Sequence, residues 1–392
     1  MIRVLFVSLP LAGHVYPASA IAAELTAHGH EVAWAGAESS LRPLLGPDAT
    51  ILRVGTRLFR EQGGAGIASI RSLWTRFIVP YAKFLLPGVE RVVLEFRPDV
   101  LVVDQHAVAG ALVARRHGLP WATLVCSAME LTEPHRALPK LAEWTRGHLV
   151  ALWTAAGLPP EDFADPRYSP DLVLAQTTTA LVGDLDRDVR LVGPLVGARP
   201  EPSFDVTRLD PDRAHVLVSM GTLADDLATG FLARTVAALR SLDVQAIVVA
   251  PEGQLPDPPP NVIVAPRVPM LTLLPHIDVL VGHGGVNTTC EALAHGIPVV
   301  LAPIRHDQPE LARQVVAAGA GLRVRFRRSG PDELAAAIGT VLTDPAYRTA
   351  ARRIAASFRA AGGAAEAAAQ VERLQKTVSE RRRSLSHAAT TP

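Results

Sequence analysis

The sequence predicts an α/β protein of two domains, each a parallel sheet whose strands alternate with helices. Three observations carry that reading. Short apolar runs rich in valine, isoleucine and leucine recur along the chain, as strands buried on both faces require. Helix-like segments separate them, the pattern of βαβ units. The stretch 196–213, VGARPEPSFDVTRLDPDR, is rich in proline and charge and has no periodicity, so it breaks the chain in two.

Taken in order, the first half offers strands at 2–8, 31–36, 100–103, 123–126, 172–175 and 189–192, with helices at 17–28 and 107–117. The second half offers strands at 215–219, 245–249, 262–265, 279–282 and 299–302, with helices at 229–239 and 288–295. Each half opens on a strand that feeds a glycine-containing loop, VSLPLAGH in the first and VSMGT in the second. The expected domains are 1–195 and 214–365, with 196–213 as linker. Residues 366–392 are expected to form a C-terminal helix that returns to the first domain and ends in a solvated polar tail.

Bulk composition narrows the function classes. A length of 392 residues suits two ordinary domains, and 48% hydrophobic with 20% charged residues excludes a disordered chain. A net charge of +1 gives no footprint for nucleic acid or an anionic membrane. Cys126 and Cys290 lie in apolar runs far apart, which reads as two buried thiols in a reducing compartment. The N-terminal apolar run passes straight into Gly-His without a cleavage pattern, and no charge-free run is long enough to span a bilayer. The expected location is the cytoplasm.

Two stretches depart from the βα rhythm. Residues 58–89 hold Phe59, Trp74, Phe77, Tyr81 and Phe84, and residues 127–168 hold Met129, Trp144, Trp153, Phe163 and Tyr168. Core-packing helices and an apolar pocket for a bulky ligand account for them equally well. On the second reading Phe59, Trp74, Phe77, Tyr81, Phe84 and Met129 are the pocket candidates.

The second half carries the denser motif, VGHGGVNTTCEALAHGIPVVLAPIRHDQ. A strand ends at Gly282, His283, Gly284 and Gly285 turn the chain, and Asn287, Thr288 and Thr289 open a helix. Glycines let backbone approach an anion, and a helix N-terminus carries about half a positive charge. A diphosphate fits such a place, with His283 as a further donor. Glu291, two turns into the helix, suits ribose hydroxyls. Asp307 and Gln308 follow the next strand at its carboxyl end, where an acid and an amide together can grip sugar hydroxyls. Gly221 and Thr222 open onto the same edge. Each feature alone is a common turn, cap or surface charge; the ordered set is not.

In the first half, GHVYP places His14 between the carboxyl end of the first strand and a helix whose first turn is expected at Pro17. A single turn histidine is ordinarily structural. Asp104, at the carboxyl end of another strand on the same edge, changes the reading. A carboxylate bonded to one imidazole nitrogen fixes the tautomer and stabilises the imidazolium formed when the other nitrogen takes a proton. His106 is a rival, set in a loop with no evident orienting acid.

These motifs together (GHVYP, VSMGT, RVPMLTLLPHIDVLVGHGG, NTTCEAL and HDQ) resemble the GT-B glycosyltransferases, and more narrowly the family-1 enzymes that glycosylate lipophilic small molecules, natural-product transferases of actinobacteria among them. The resemblance spans essentially the whole chain. It implies two Rossmann-like domains facing across a cleft and an inverting, metal-independent transfer from a UDP- or dTDP-sugar to a hydrophobic acceptor. It implies His14 as general base and Asp104 as its orienting acid. His283, Gly285, Asn287, Thr288 and Thr289, with Gly221 and Thr222, would hold the diphosphate. Glu291 would hold the ribose, Asp307 and Gln308 the sugar, and the backbone around Arg267 and Val268 the base. Before Val-Pro, where the family often has an aromatic residue or arginine, stands Arg267, whose guanidinium can stack on a base; Met270 stands where a glutamine is usual, and Gly282 where many bacterial members have a histidine.

No cofactor is expected beyond the nucleotide sugar as co-substrate. An Asp-x-Asp lies in DLDRD (184–188), the device other glycosyltransferases use to hold a divalent ion, but its place between two strands reads as acids in a turn. A homodimer stays open. Competing classes are a dinucleotide-dependent oxidoreductase, against which the single glycine of LAGHVYPA speaks, a non-catalytic sugar-nucleotide-binding partner, and an epimerase or cell-wall transferase of related architecture.

Overall fold

A computed structural model of the chain describes residues 1–55, 67–127, 129, 131–132, 138–221, 226–255 and 257–388. The contacts divide it into two compact units. The first comprises Met1–Gln176, Leu185–Arg199 and Ala361–Pro392; the second comprises Thr177–Asp184 and Pro200–Ala360. The first sequence boundary therefore differs from 1–195: the segment Thr177–Asp184 packs with the second unit, and Ala361 onward returns to the first.

The first unit begins β1 (Arg3–Val7), α1 (Ala12–Ala27), β2 (Glu31–Gly36), α2 (Glu38–Leu45) and β3 (Ile51–Arg53). Next, α3 (Ile67–Ser72) passes through a π-helical turn, Leu73–Ile78, into α4 (Val79–Phe96). β4 (Val100–Asp104), α5 (Ala109–Arg116), β5 (Trp121–Val125), α6 (Pro139–Ala155) and β6 (Leu172–Ala175) follow. The short α7 (Thr179–Val182) belongs to the second unit, and β7 (Arg190–Leu191) closes the first sheet. Among the described residues the strands run in the order β3-β2-β1-β4-β5-β6-β7, all paired in parallel.

The second unit continues with β8 (Ala214–Ser219), α8 (Asp226–Leu239), β9 (Val244–Val249), β10 (Val262–Ala265) and α9 (Met270–Leu273). β11 (Val279–Gly282), α10 (Val286–Ala294), β12 (Val299–Leu301), α11 (Gln308–Ala317), β13 (Gly321–Arg323), α12 (Pro331–Thr343) and α13 (Pro345–Ala361) complete it. Its order is β10-β9-β8-β11-β12-β13, again parallel throughout. Both sheets therefore reverse their winding between two central strands, β1 and β4 in one and β8 and β11 in the other. At such a switch point the loops at the carboxyl ends diverge and leave a crevice for ligand.

The apolar runs are buried on both faces, as their lack of alternation predicts. In the first sheet Leu101 and Val103 face a core with α4, α5 and α6, while Val100 and Val102 face α1. That second face is completed by Ala367, Ala368, Val371 and Leu374 of α14 (Gly363–Ala388), so the C-terminal helix returns to the first unit. Glu372 fastens it there, accepting from His28 Nδ1 at 2.7 Å and His30 Nε2 at 2.9 Å in the turn after α1.

One expectation about α1 is corrected. The helix starts at Ala12, capped by the extended Leu11, so Pro17 lies inside it. The N–H groups of His14 and Val15 already bond to the Leu11 carbonyl at 2.9 Å. His14 thus stands in the first helical turn, not in a loop before it. Pro17 removes a single ladder bond near the start of the helix. The helix ends as expected, with Gly29 in the left-handed region at φ 80°.

Candidate active site

β1 and β4 pair in register, Val7 opposite Val103, so the residues after Val7 and the residue Asp104 leave the sheet side by side. Nδ1 of His14 lies 2.5 Å from Oδ2 of Asp104. The carboxylate is 1% exposed and the imidazole 20%, so the acid is sealed while the base keeps access to solvent. Asp104 accepts two further donors: the His106 backbone N–H on Oδ1 at 2.8 Å and the Cys126 thiol on Oδ2 at 3.5 Å. Burial pushes its carboxyl up, but the charge and hydrogen bond of His14, with His106 behind them, outweigh that and hold it below the usual range. Asp104 is therefore an anion at neutral pH and fixes the His14 proton on Nδ1. In the neutral ring that puts the lone pair on Nε2, the nitrogen a general base would use.

His106 also lies at Asp104, held there by its backbone. It caps the same carboxylate through its backbone, its charge acts on Asp104, and its ring meets that of His14 edge-on at 6.1 Å. On its other side stands Trp74, 6.5 Å away and also edge-on. Trp74, Phe77 and Tyr81 are buried in the main core of the first unit. The π-helical turn aims the first two inward. Phe77 stacks on Tyr81 at 5.8 Å, and the Tyr81 hydroxyl donates to the Ser8 carbonyl at 3.2 Å. Phe84 is partly buried against the same core, and Met129 is half-buried beside Ser127 and Thr132. Phe59 lies outside the described residues. Trp74, Phe77 and Tyr81 thus pack in the core of the first unit, and Trp74 and Tyr81 also border the group around His14 and Asp104.

His14, Asp104 and His106 place ligand atoms within 4.8 Å of one another, close enough to raise the question of a metal. The 2.5 Å between Nδ1 and Oδ2 is the separation of a hydrogen-bonded pair. Two ligands of one tetrahedral ion with bonds of about 2.1 Å stand about 3.4 Å apart. Asp184, Asp186 and Asp188 are exposed in the connection to β7.

The second unit repeats the arrangement. β8 and β11 pair with Gly282 opposite Ser219, which sets Gly221 beside His283. A β-carbon on Gly221 would come within 2.6 Å of Cε1 of His283, and one on Gly285 within 2.5 Å of Nε2. Both glycines are therefore required by the imidazole between them, and Gly221 also takes a positive φ of 64°. Gly285 caps α10, and Val286, Asn287 and Thr288 form its first turn, where N–H groups have no acceptor inside the helix. Asn287 and Thr288 are half-buried and Thr289 is buried.

Burial drives His283 down to about 4; the charge of Asp307 and the Ser219 carbonyl pull upward, and Arg305 adds to the fall. Asp307 caps α11, close enough to act on that ring. Gln308 is buried, and its amide oxygen accepts the N–H groups of Ile304 at 2.9 Å and Arg305 at 3.0 Å, which shapes the loop and leaves the amide NH₂ for any other contact. Glu291 is buried within α10. Its charge helps burial to push the neighbouring Cys290 thiol up to about 12, so that thiol is inert at neutral pH. Arg267 is exposed and Val268 half-buried after β10, at the same carboxyl edge. Thr222 lies outside the described residues. No described helix is long and apolar enough to cross a membrane.

Sequence reasoning missed Cys126 and Tyr81 as neighbours of Asp104. Cys126 follows β5, the strand next to β4, but only the strand order reveals that adjacency.

Comparison with known proteins agrees with this construction. Residues 233–374 match the family model of the erythromycin biosynthesis protein CIII-like C-terminal domain. The chain is 30% identical to 4'-demethylrebeccamycin synthase of Lentzea aerocolonigenes, with 95% of this chain and 99% of that protein covered. It is also 30% identical to demethyllactenocin mycarosyltransferase of Streptomyces fradiae, covering 95% and 87%. The spinosyn rhamnosyltransferase complexed with thymidine diphosphate superposes with a TM-score of 0.78 at 23% identity, over 94% of this chain and 100% of that one, which shows the shared fold. The oxidoreductase alternative falls. With two parallel sheets, a dyad at one switch point and a glycine-flanked histidine at the other, the chain belongs to the GT-B glycosyltransferases of natural-product biosynthesis.

Proposed function

We propose that the enzyme transfers a sugar from a UDP- or dTDP-sugar to a lipophilic natural-product acceptor, with inversion and without a metal. The observation that carries this reading is the His14–Asp104 pair, a sealed carboxylate holding a partly open imidazole at the switch point of the first sheet.

The acceptor binds on the first unit, its nucleophilic hydroxyl against Nε2 of His14, with His106 and the edge of Trp74 beside it. The donor diphosphate binds at the loop from His283 to Thr289, its ribose at Glu291 and its sugar at Asp307 and the Gln308 amide. The thymidine diphosphate held by the structurally similar spinosyn enzyme supports a nucleotide donor of this kind. The acceptor proton passes to His14, the oxygen attacks the anomeric carbon, and the bond from that carbon to the diphosphate breaks. The departing charge is met by the first turn of α10. One displacement inverts the anomeric centre. The charge that a divalent ion neutralises in other transferases is met here by donors of the protein.

Release of nucleoside diphosphate from UDP-glucose and dTDP-glucose, assayed with a panel of phenolic and macrolide aglycones, tests the reading. Turnover with at least one acceptor, undiminished by EDTA, is the expected result. Turnover abolished by EDTA and restored by manganese would assign the diphosphate to a metal instead.

A further inference from the structure

The inference drawn here rests on the donor reading of the loop after β11 and concerns how that site takes its ligand. The ring of His283 is wedged. Gly221 flanks it on one side and Gly285 on the other, each closer than a β-carbon would allow. It is 9% exposed, and the Ser219 backbone carbonyl is its hydrogen-bond acceptor. The charged side chains acting on it are Asp307 from the cap of α11 and Arg305 from the loop before it. The end of β8 presents the Ser219 carbonyl to it, and Gly285 at the start of α10 lies against it.

A neutral imidazole has one N–H and one lone pair. At neutral pH the ring is neutral, because burial holds it near 4. Its single N–H goes to Ser219, so the remaining nitrogen offers a lone pair. A diphosphate oxygen is also an acceptor, and two acceptors in contact repel. Either the Ser219 bond is surrendered through a tautomer change, or a proton is added. A tautomer change would take the donor from the buried Ser219 carbonyl, and an arriving dianion favours the added proton strongly.

We propose that docking of the donor diphosphate at this loop takes up one proton from solvent onto His283, which then donates to Ser219 with one nitrogen and to a phosphate oxygen with the other. No bond other than this N–H forms or breaks. By linkage, a group more basic in the complex than in the free protein weakens binding as pH rises from its free-state to its bound-state value, and above the bound-state value the extra affinity is gone. The protonated ring is then in place when charge develops on the leaving diphosphate.

The test is calorimetric titration of the full chain with UDP-glucose and with dTDP-glucose at pH 6.5, in buffers of different ionisation enthalpy. The phosphates of a nucleotide sugar are esterified and carry no proton to exchange near that pH, so any uptake falls on the protein. The expected result is uptake of about one proton per nucleotide, with Kd rising towards tenfold per pH unit between the free-state and bound-state values and levelling off above the latter. Ring ¹⁵N shifts should report His283 singly protonated in the free protein and doubly protonated in the complex. His283→Gln should remove the buffer dependence. Heats that are equal in all buffers, or an uptake that persists in His283→Gln, overturn the proposal, as does a ring that stays singly protonated in the complex. Failure of both nucleotides to bind would instead overturn the donor reading beneath it.

Discussion

Replacing His14 by alanine is expected to lower kcat by about 10²–10⁴-fold, the usual worth of a positioned general base. The affinity for the donor nucleotide should not change, because that ligand is assigned to a loop of the other unit. The fold should survive, since Asp104 keeps the His106 N–H and the Cys126 thiol as partners and can take up a proton when its charge loses the imidazole. Some loss of thermal stability is expected, because a buried carboxylate is left with weaker compensation. His14→Gln separates the two effects: an amide can still donate to Asp104 but cannot accept the acceptor's proton productively. Steady-state turnover at saturating donor, read beside melting temperature, checks both variants. Wild-type turnover in either would remove His14 from the mechanism.

Replacing Asp104 by asparagine is expected to be nearly as damaging, for a different reason. The side chain keeps its size, so packing around the carboxylate is preserved. Its amide can present NH₂ to Nδ1 of His14, which drives the ring proton to Nε2, the nitrogen that must be bare. In a serine-protease triad the same exchange costs about 10⁴-fold in kcat by reversing the tautomer. A loss of about 10²–10⁴-fold with unchanged donor affinity is the outcome expected here. Ring ¹⁵N shifts of His14 should show the proton moving from Nδ1 to Nε2. A variant with full activity would mean that Asp104 is present only to hold the fold.

The architecture was legible where side chains alone dictate local structure. Runs such as 100–103 and 279–281 are apolar throughout because both faces are covered. β3 and β13 escaped notice because three residues, ILR and GLR, carry no periodic signal; backbone pairing to longer neighbours makes them strands. The start of α1 was misplaced because Pro17 is a frequent first-turn residue, whereas here the extended Leu11 begins the helix five residues earlier. The crossing of Thr177–Asp184 into the second unit is a matter of tertiary contact and leaves no mark on composition.

The site was legible in its residue types and not in its adjacencies. His14 and Asp104 are 90 positions apart, and their contact depends on β1 and β4 being neighbours. That same order brings Cys126 to the carboxylate, while His106 reaches it locally through its backbone N–H two residues on; neither a lone thiol nor a loop histidine announces such a role. The aromatic stretch around Trp74, Phe77 and Tyr81 has two equal readings because large apolar side chains serve core and pocket alike; the structure places all three in the buried cluster of the first unit. The protonation of His283 could not be read at all, since it depends on burial and on a backbone carbonyl from another strand.

The central claim is that His14, held by Asp104, drives a single displacement at the anomeric carbon. Proton NMR of the first-formed glycoside, made from an α-configured nucleotide sugar and read before any mutarotation or workup, tests it most directly. The account predicts a β-glycoside, with its larger coupling between the first two ring protons when the donor is glucose. An α-glycoside would require either two displacements or departure and return on one face, and would contradict a lone base acting at His14.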